Sequence, residues 1–345
     1  MKKFTETLVK NSDAAFNLSS LGQMIFDLDA KCSDKIMPEF KNARVVFEDN
    51  TFQLRYTTDL DVEMTNELSD YAMSQLCLKA GVPAQYVNKC IEKQEDWATN
   101  LVLSNLNEWI KRSETENVLV RLYDNSVRGL LSAKYICFDA PEIFEGLTRG
   151  FAGNHDYAIK NYLVSPERFH VRMVKTSEIE GLSDLYAGFI INSSDVGRFA
   201  ITINYFVYKK ICTNGLMIPY KSGPKFRQIH LGSIKEIEDA VKLAIQYMPE
   251  YEKTVAEFIN NAEQVDYAEV LADPESQAFQ NFFTMIKTQT GLSGKSVENV
   301  IDLMQTRYGT TNWALVNAIT EEAQKYTLDR RMLLEKAAGN ILLAA

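Results

Sequence analysis

An α+β architecture is expected from three features of this chain. Residues 43–57 and 117–131 read as two pairs of short strands, each pair joined by Asp-Asn. Further strand-length runs fall at 169–175, 185–192 and 198–203. The segments on either side carry apolar residues at helical spacing. Together these predict a central, mostly antiparallel sheet within 114–232, joined or not by the 43–57 hairpin. Helical modules at 1–113 and 233–345 flank it.

Residues 1–43 read as polar and helical, with a loop around Pro38. Asp49-Asn50 then turns one strand back on the next. Met64, Leu68, Tyr71, Ala72, Leu76 and Leu78 predict a helix over 64–80, which Gly81-Val82-Pro83 stops; Pro83 starts the next. Trp97, Leu101, Leu106 and Trp109 place a further helix at 95–112. A helix at 141–148 follows the second hairpin. Residues 204–215 read as a short helix, capped by Asn204 and ended by Asn214-Gly215, with a continuous strand as the competing reading. Beyond 234 the chain is helical and acidic, with breaks expected at Pro249, Pro274 and Gly291–Gly294, and a last helix over 311–336.

Among 345 residues, 46% are hydrophobic, with 18 Phe and 16 Tyr, which excludes a disordered chain. No apolar run approaches the length of a membrane span, and no apolar segment follows Lys2-Lys3 as in a secretory leader. The five cysteines are scattered and form no CxxC pair, which fits reduced thiols in a cytoplasmic setting. The three histidines have no metal-ligand spacing, and neither a complete phosphate loop nor G-x-G-x-x-G occurs. No cofactor, metal or catalytic constellation is therefore expected. Gly291-Leu292-Ser293-Gly294-Lys295-Ser296 reads as a turn into a helix, and Cys212 as a buried thiol.

Charge is the most informative pattern. From Val196 to Lys235, forty residues contain no Asp or Glu but seven Lys or Arg. That is +7 inside the window and −16 outside it, against −9 overall. Lysines and arginines interleaved with rings suit a single nucleic-acid strand, because phosphates need charge and every base has a face to stack on. The candidate phosphate contacts are Arg121, Arg128, Lys134, Arg198, Lys209, Lys210, Lys221, Lys225 and Arg227. Tyr205, Phe206 or Tyr208 would offer the stacking faces. The bland alternative is a core segment that is poor in acids because it is buried.

Four phrases also occur in order. They are Gly81-Val82-Pro83 followed by Asn105-Leu106-Asn107-Glu108-Trp109; Val127-Arg128-Gly129-Leu130-Leu131-Ser132-Ala133-Lys134-Tyr135; Ile191-Asn192-Ser193-Ser194-Asp195-Val196-Gly197 with Tyr208-Lys209-Lys210-Ile211-Cys212-Thr213-Asn214-Gly215-Leu216; and Gly309-Thr310-Thr311-Asn312-Trp313-Ala314 with Asn317-Ala318-Ile319-Thr320-Glu321. Over about 65–335 the chain resembles the phage/plasmid-like domain-of-unknown-function family of bacteriophages and conjugative plasmids. The resemblance implies a mobile-element protein of the bacterial cytoplasm and supplies no reaction. A more distant analogy is to single-strand annealing proteins, which form rings with a basic rim; the overall acidity of this chain departs from that pattern.

The function expected is non-enzymatic binding of single-stranded DNA or RNA in replication or recombination, with strand annealing and homo-oligomerisation as extensions. The rival is a protein-binding effector directed at a host defence protein. No membrane partner is expected.

Overall fold

The computed structural model describes residues 3–4, 9–10, 18–209, 214–218, 226–228 and 233–344. In chain order, its first half comprises β1 (Val9–Lys10), α1 (Leu18–Asp29), β2 (Cys32–Glu39), β3 (Arg44–Glu48), β4 (Thr51–Thr57), β5 (Glu63–Leu68), α2 (Asp70–Ala80), α3 (Ala84–Ile91), α4 (Asp96–Lys111), β6 (Glu116–Tyr123) and β7 (Ser126–Ser132). There follow α5 (Ala140–Gly150), β8 (Tyr157–Ser165), β9 (Arg168–Lys175), β10 (Leu185–Ser193), β11 (Ile201–Lys209), β12 (Asn214–Leu216), β13 (Phe226–Gln228), α6 (Ile234–Gln264), α7 (Ala268–Ala272), α8 (Gln277–Thr290), α9 (Gly294–Leu303), α10 (Asn312–Glu322) and α11 (Leu328–Leu343). The fold is α+β, with helices flanking the sheets.

The strands form two sheets where one was expected. The first runs β2-β6-β7-β5-β4-β3, antiparallel except where β5 meets β7. Its apolar face packs on α2, α3 and α4 around Leu54, Leu68, Leu76, Val102, Leu106 and Val120. Asp49 and Asn50 both have positive φ (51° and 60°), the backbone a two-residue hairpin between right-twisted strands requires. The second sheet runs β1-β8-β9-β10-β11-β12, with β13 also on β11, antiparallel throughout. One face, through Phe169, Val171, Phe189, Ile203 and Tyr205, joins α5, α6 and the C-terminal helices in the larger core. The opposite face is mixed polar and apolar, and α11 lies against part of it.

Several expected elements change. Residues 32–39 are a strand, not part of a helical module; Pro38 fits because β2 is a sheet edge, where a missing N–H breaks no ladder. Residues 63–68 are β5, and the helix begins only after Ser69, whose side chain accepts a bond from Ala72 N–H. The helix proposed at 204–215 is wrong for its described part: β11 continues to Lys209, registered residue by residue against β10. Its Ile, Thr, Val and aromatic residues favour a pleated surface once a partner strand is present. Pro249 does not break α6, whose buried stripe of Val241, Ala244, Met248, Tyr251 and Val255 runs through it. Burial on both sides of the proline outweighs its one lost hydrogen bond. The expected final helix is two, α10 and α11, separated by a short 3₁₀ turn at Ala323–Lys325.

Candidate functional site

The mixed face of the second sheet builds the site. Along β9, Arg168, His170 and Arg172 point to this face while Phe169, Val171 and Met173 enter the larger core. This is the period of two of a strand. Cross-strand register then sets His170 beside Asn192, Asn192 beside Thr202, and Thr202 beside Arg227, so four strands contribute one polar row. Helix α11 walls the row with Asp329, Met332, Leu333 and Lys336, spaced i, i+3, i+4 and i+7 on one face.

Between them lies a cleft of about 620 Å³. Its floor includes Asn192, Thr202 and Asn204, and its rim Phe199 and Ala200. Among the described lining residues, Arg168, Arg198, Arg227 and Lys336 face one carboxylate, Asp329. Arg168 Nη1 donates to Asp329 Oδ1 at 2.5 Å, and Arg198 Nη2 to Asp329 Oδ2 at 3.3 Å. The guanidinium carbons of Arg168 and Arg198 stand 4.9 and 5.3 Å from the centroid of the Phe199 ring. Arg227 and Lys336 are exposed.

Beneath the cleft, Arg172 and Arg331 share Glu335. Arg172 Nη1 and Nη2 donate to its two oxygens at 3.1 and 2.6 Å, and Arg331 Nε donates at 2.8 Å. All three side chains are buried. Burial, and then the neighbouring Arg172, hold Arg331 below its ordinary pKa despite Glu335. Gly215 lies against this group: a Cβ there would stand 2.5 Å from Arg172 Nη1. His170 is fully buried, and burial first, then Arg172, depress its pKa well below 6.5, so it is neutral. Its Nδ1 lies 2.6 Å from Asn192 Oδ1; as the neutral tautomer protonated there, it donates to the amide oxygen.

The sequence-derived candidates separate into three groups. Arg198 and Arg227 reach the cleft. Arg121 and Arg128 do not; they are buried where the two sheets meet. Arg121 pairs with Gly129 and Leu122 with Val127, so Arg128 is the extra residue of a β-bulge. The bulge sets both guanidiniums beside Asp139. Arg121 Nε binds Asp34 at 3.0 Å, its Nη1 binds Asp139 at 2.7 Å, and Arg128 Nη1 binds Asp195 at 3.3 Å and Pro166 O at 2.9 Å. Asp34, Asp139 and Asp195 outnumber the two arginines. Burial and the nearby Asp139 raise Asp195 to about 7, against the pull of Arg128 and Arg121. Burial raises the thiol of Cys32, beside the same charges, to about 11, so it is not an activated nucleophile.

Lys134 is exposed in the turn after β7, away from the cleft lining. Lys209 lies at the far end of β11, 2.9 Å from Asn317 Oδ1 and over the rings of Tyr308 and Trp313. Tyr205 is core, with its hydroxyl donating to Ala244 O at 3.2 Å; Phe206 and Tyr208 pack with Val174 and Ile190 on the opposite face. With Phe206 fully buried and the two tyrosines nearly so, these rings present no stacking face in this fold. Lys210, Lys221 and Lys225 lie outside the described residues.

Sequence reasoning missed Arg168, Asp329 and Lys336; Asn192 stood in a turn-like phrase and Phe199 among the rings of the basic window, but neither was chosen as a contact. The alternating Arg168-x-His170-x-Arg172 was the available signal, since charge on every second strand residue marks a polar face. The last three of the four phrases find physical partners in one another. Val196 fills the space beside Gly129, Asp195 holds Arg128, and Lys209 binds Asn317. Among the described residues no group of three or more His, Cys, Asp or Glu has the arrangement of a metal site, and no helix is long and apolar enough to cross a membrane.

No curated protein and no solved structure gives a significant match to the chain. The family model described as Domain of unknown function (DUF932) matches residues 128–339, more than half of the chain, spanning β7 through most of α11 and both walls of the cleft. The chain belongs to this family.

Proposed function

We propose that this protein binds single-stranded nucleic acid through the cleft between the second sheet and α11, and that it does so without catalysing a reaction. The observation that carries the reading is the charge of the lining: among the described lining residues, four basic side chains stand around a floor of amides and a hydroxyl and face one carboxylate, with Glu167 3.7 Å from Arg198 outside the lining. Phosphates supply the matching negative charge, while Asn192, Thr202 and Asn204 supply hydrogen bonds that any base or sugar can use. Phe199, half-buried on the rim, carries the guanidiniums of Arg168 and Arg198 over its ring and so steadies the charges that would meet phosphates. The likeness of the sequence phrases to phage and plasmid proteins supports replication or recombination of a mobile element as the setting.

The test is fluorescence anisotropy with a labelled single strand of about 40 nucleotides, titrated across a range of salt. Arg227→Ala with Lys336→Ala removes two exposed cations and leaves the buried ion pairs intact. The double variant is expected to bind more weakly and to lower the salt slope by about 1.4, at ~0.7 per phosphate contact on a single strand. Affinity and slope equal to those of the unaltered protein would refute the reading.

A second reading has its own observation. On α4, Trp97, Leu101 and Trp109 are 57%, 40% and 53% exposed, an apolar stripe on a helix whose other face is core. Exposed tryptophans of this kind favour a protein partner, as an effector of host defence would need. Recovery of a defined host protein that withstands high salt and is lost in Trp97→Ala with Trp109→Ala would support it.

A further inference from the structure

We infer that the Asp329 carboxylate marks a phosphate position, and that a bound phosphodiester takes its place between Arg168 and Arg198. This rests on the single-strand reading of the cleft and adds where one phosphate sits and what it displaces.

Two guanidiniums each hold a different oxygen of the Asp329 carboxylate. Two non-bridging oxygens of a phosphate present the same pair of acceptors. The three side chains differ in freedom. The Arg168 side chain is 3% exposed, that of Asp329 43%. Arg168 is further held over Phe199, and Arg198 over Phe199 and Tyr71. Arg168 is thus the fixed part of the frame; Arg198, 31% exposed, is steadied by its rings and by Glu167 Oε2 at 3.7 Å, and Asp329 is the partner that can leave. A buried guanidinium without an anion is strongly unfavourable, so Asp329 departs only as another anion arrives.

The surroundings favour a dispersed negative charge at this point. Asp329 lies in the first turn of the sixteen-residue α11, at the positive end of its dipole. Arg172, Arg331 and Glu335 beneath the floor leave one positive charge in excess. Asp329 consequently lowers resting affinity and selects ligands that satisfy both guanidiniums at once. A phosphate meets that demand; a chloride ion, with no directed pair of acceptors, does not.

Asp329→Asn keeps the shape and one acceptor oxygen but removes the charge. It is titrated beside the unaltered protein with the labelled single strand and, separately, with inorganic phosphate. Asp302→Asn on α9 is the control, with the same change in net charge away from the cleft lining. Asp329→Asn is expected to bind both strand and phosphate about tenfold more tightly, and Asp302→Asn to change neither. If the unaltered protein binds the strand and Asp329→Asn does no better, or Asp302→Asn gains as much, the phosphate position is refuted and the cleft reading survives. If no form binds the strand but Asp329→Asn gains phosphate, the position stands and the single-strand reading falls. Should Asp329→Asn fail to fold, the unaltered protein decides the matter by its urea midpoint in phosphate against chloride at equal ionic strength. Stabilisation by phosphate is expected, and its absence overturns the inference.

Discussion

Glu335→Gln is expected to lower stability by about 3 kcal/mol, through the charge it uncovers more than through the contacts it loses. Glu335 is fully buried, with Arg172 and Arg331 at 1% and 4% exposure. Three charge-assisted hydrogen bonds of 3.1, 2.6 and 2.8 Å tie them. Removing one partner of a buried pair costs about 3–5 kcal/mol. Glutamine retains one acceptor oxygen and so belongs at the lower end of that range. It turns its amide nitrogen toward the other guanidinium, however, leaving two buried cations and no anion. With a slope of about 3 kcal/mol per molar urea, the unfolding midpoint falls by about 1 M. The companion is the triple variant Arg172→Met, Arg331→Met, Glu335→Leu, which removes all three charges and fills similar volume. It is expected to recover most of the loss, because apolar replacement of a whole buried ion group is often neutral or better. A midpoint shift below about 0.3 M for the single variant, or a triple variant as unstable as the single, would refute the reasoning.

Two further outcomes follow from groups around the same face. Gly215→Ala places a Cβ 2.5 Å from Arg172 Nη1 and 3.0 Å from Glu335 Oε1, so a loss of about 1–3 kcal/mol is expected in urea unfolding; unchanged stability would show that the ion group yields freely. His170, depressed below 6.5 in the fold, contributes stability that is complete above pH 6.5 and is lost as the unfolded chain alone takes up the proton below it. Asp195, raised from 3.8 to about 7, has the opposite sign: its contribution is complete below 3.8 and is lost as pH rises toward 7. Urea midpoints between about pH 5 and 8 are expected to fall less on acidification in His170→Gln than in the unaltered protein. Identical profiles would refute a neutral buried His170.

Local signals were legible where their cause is local. Asp49-Asn50 set a hairpin because both residues tolerate positive φ. Thr311 caps α10 where the last helix was expected to start, its side-chain oxygen accepting from Ala314 N–H, whereas the equivalent cap at Ser69 was read through as part of a helix over 64–80. Gly81 and Gly291, with φ of 72° and 62°, end α2 and α8 in the left-handed conformation that glycine adopts without strain. The opposite outcome belongs to segments whose structure is set from a distance. Met64 and Leu68 sit at helical spacing, yet β5 is a strand because β4 and β7 pair with it. Residues 201–209 suit strand or helix by spacing, and β10 selects the strand.

The candidate site divides in the same way. Composition alone marked out a basic, acid-free window, and its Arg198 and Arg227 do line a basic cleft. Yet the acids that face Arg198 are Glu167, 31 residues earlier, and Asp329, 131 residues further on. Arg121 and Arg128 read from the sequence as phosphate contacts, but the meeting of two sheets buries them against three aspartates. The sequence by itself determined the hairpin turns, most helix cores and the local excess of charge, because each depends on neighbours within one or two turns of chain. Tertiary structure alone decided which arginines meet a carboxylate and which meet solvent, because electrostatic energy depends on distance and burial in space, and register and helix packing set both.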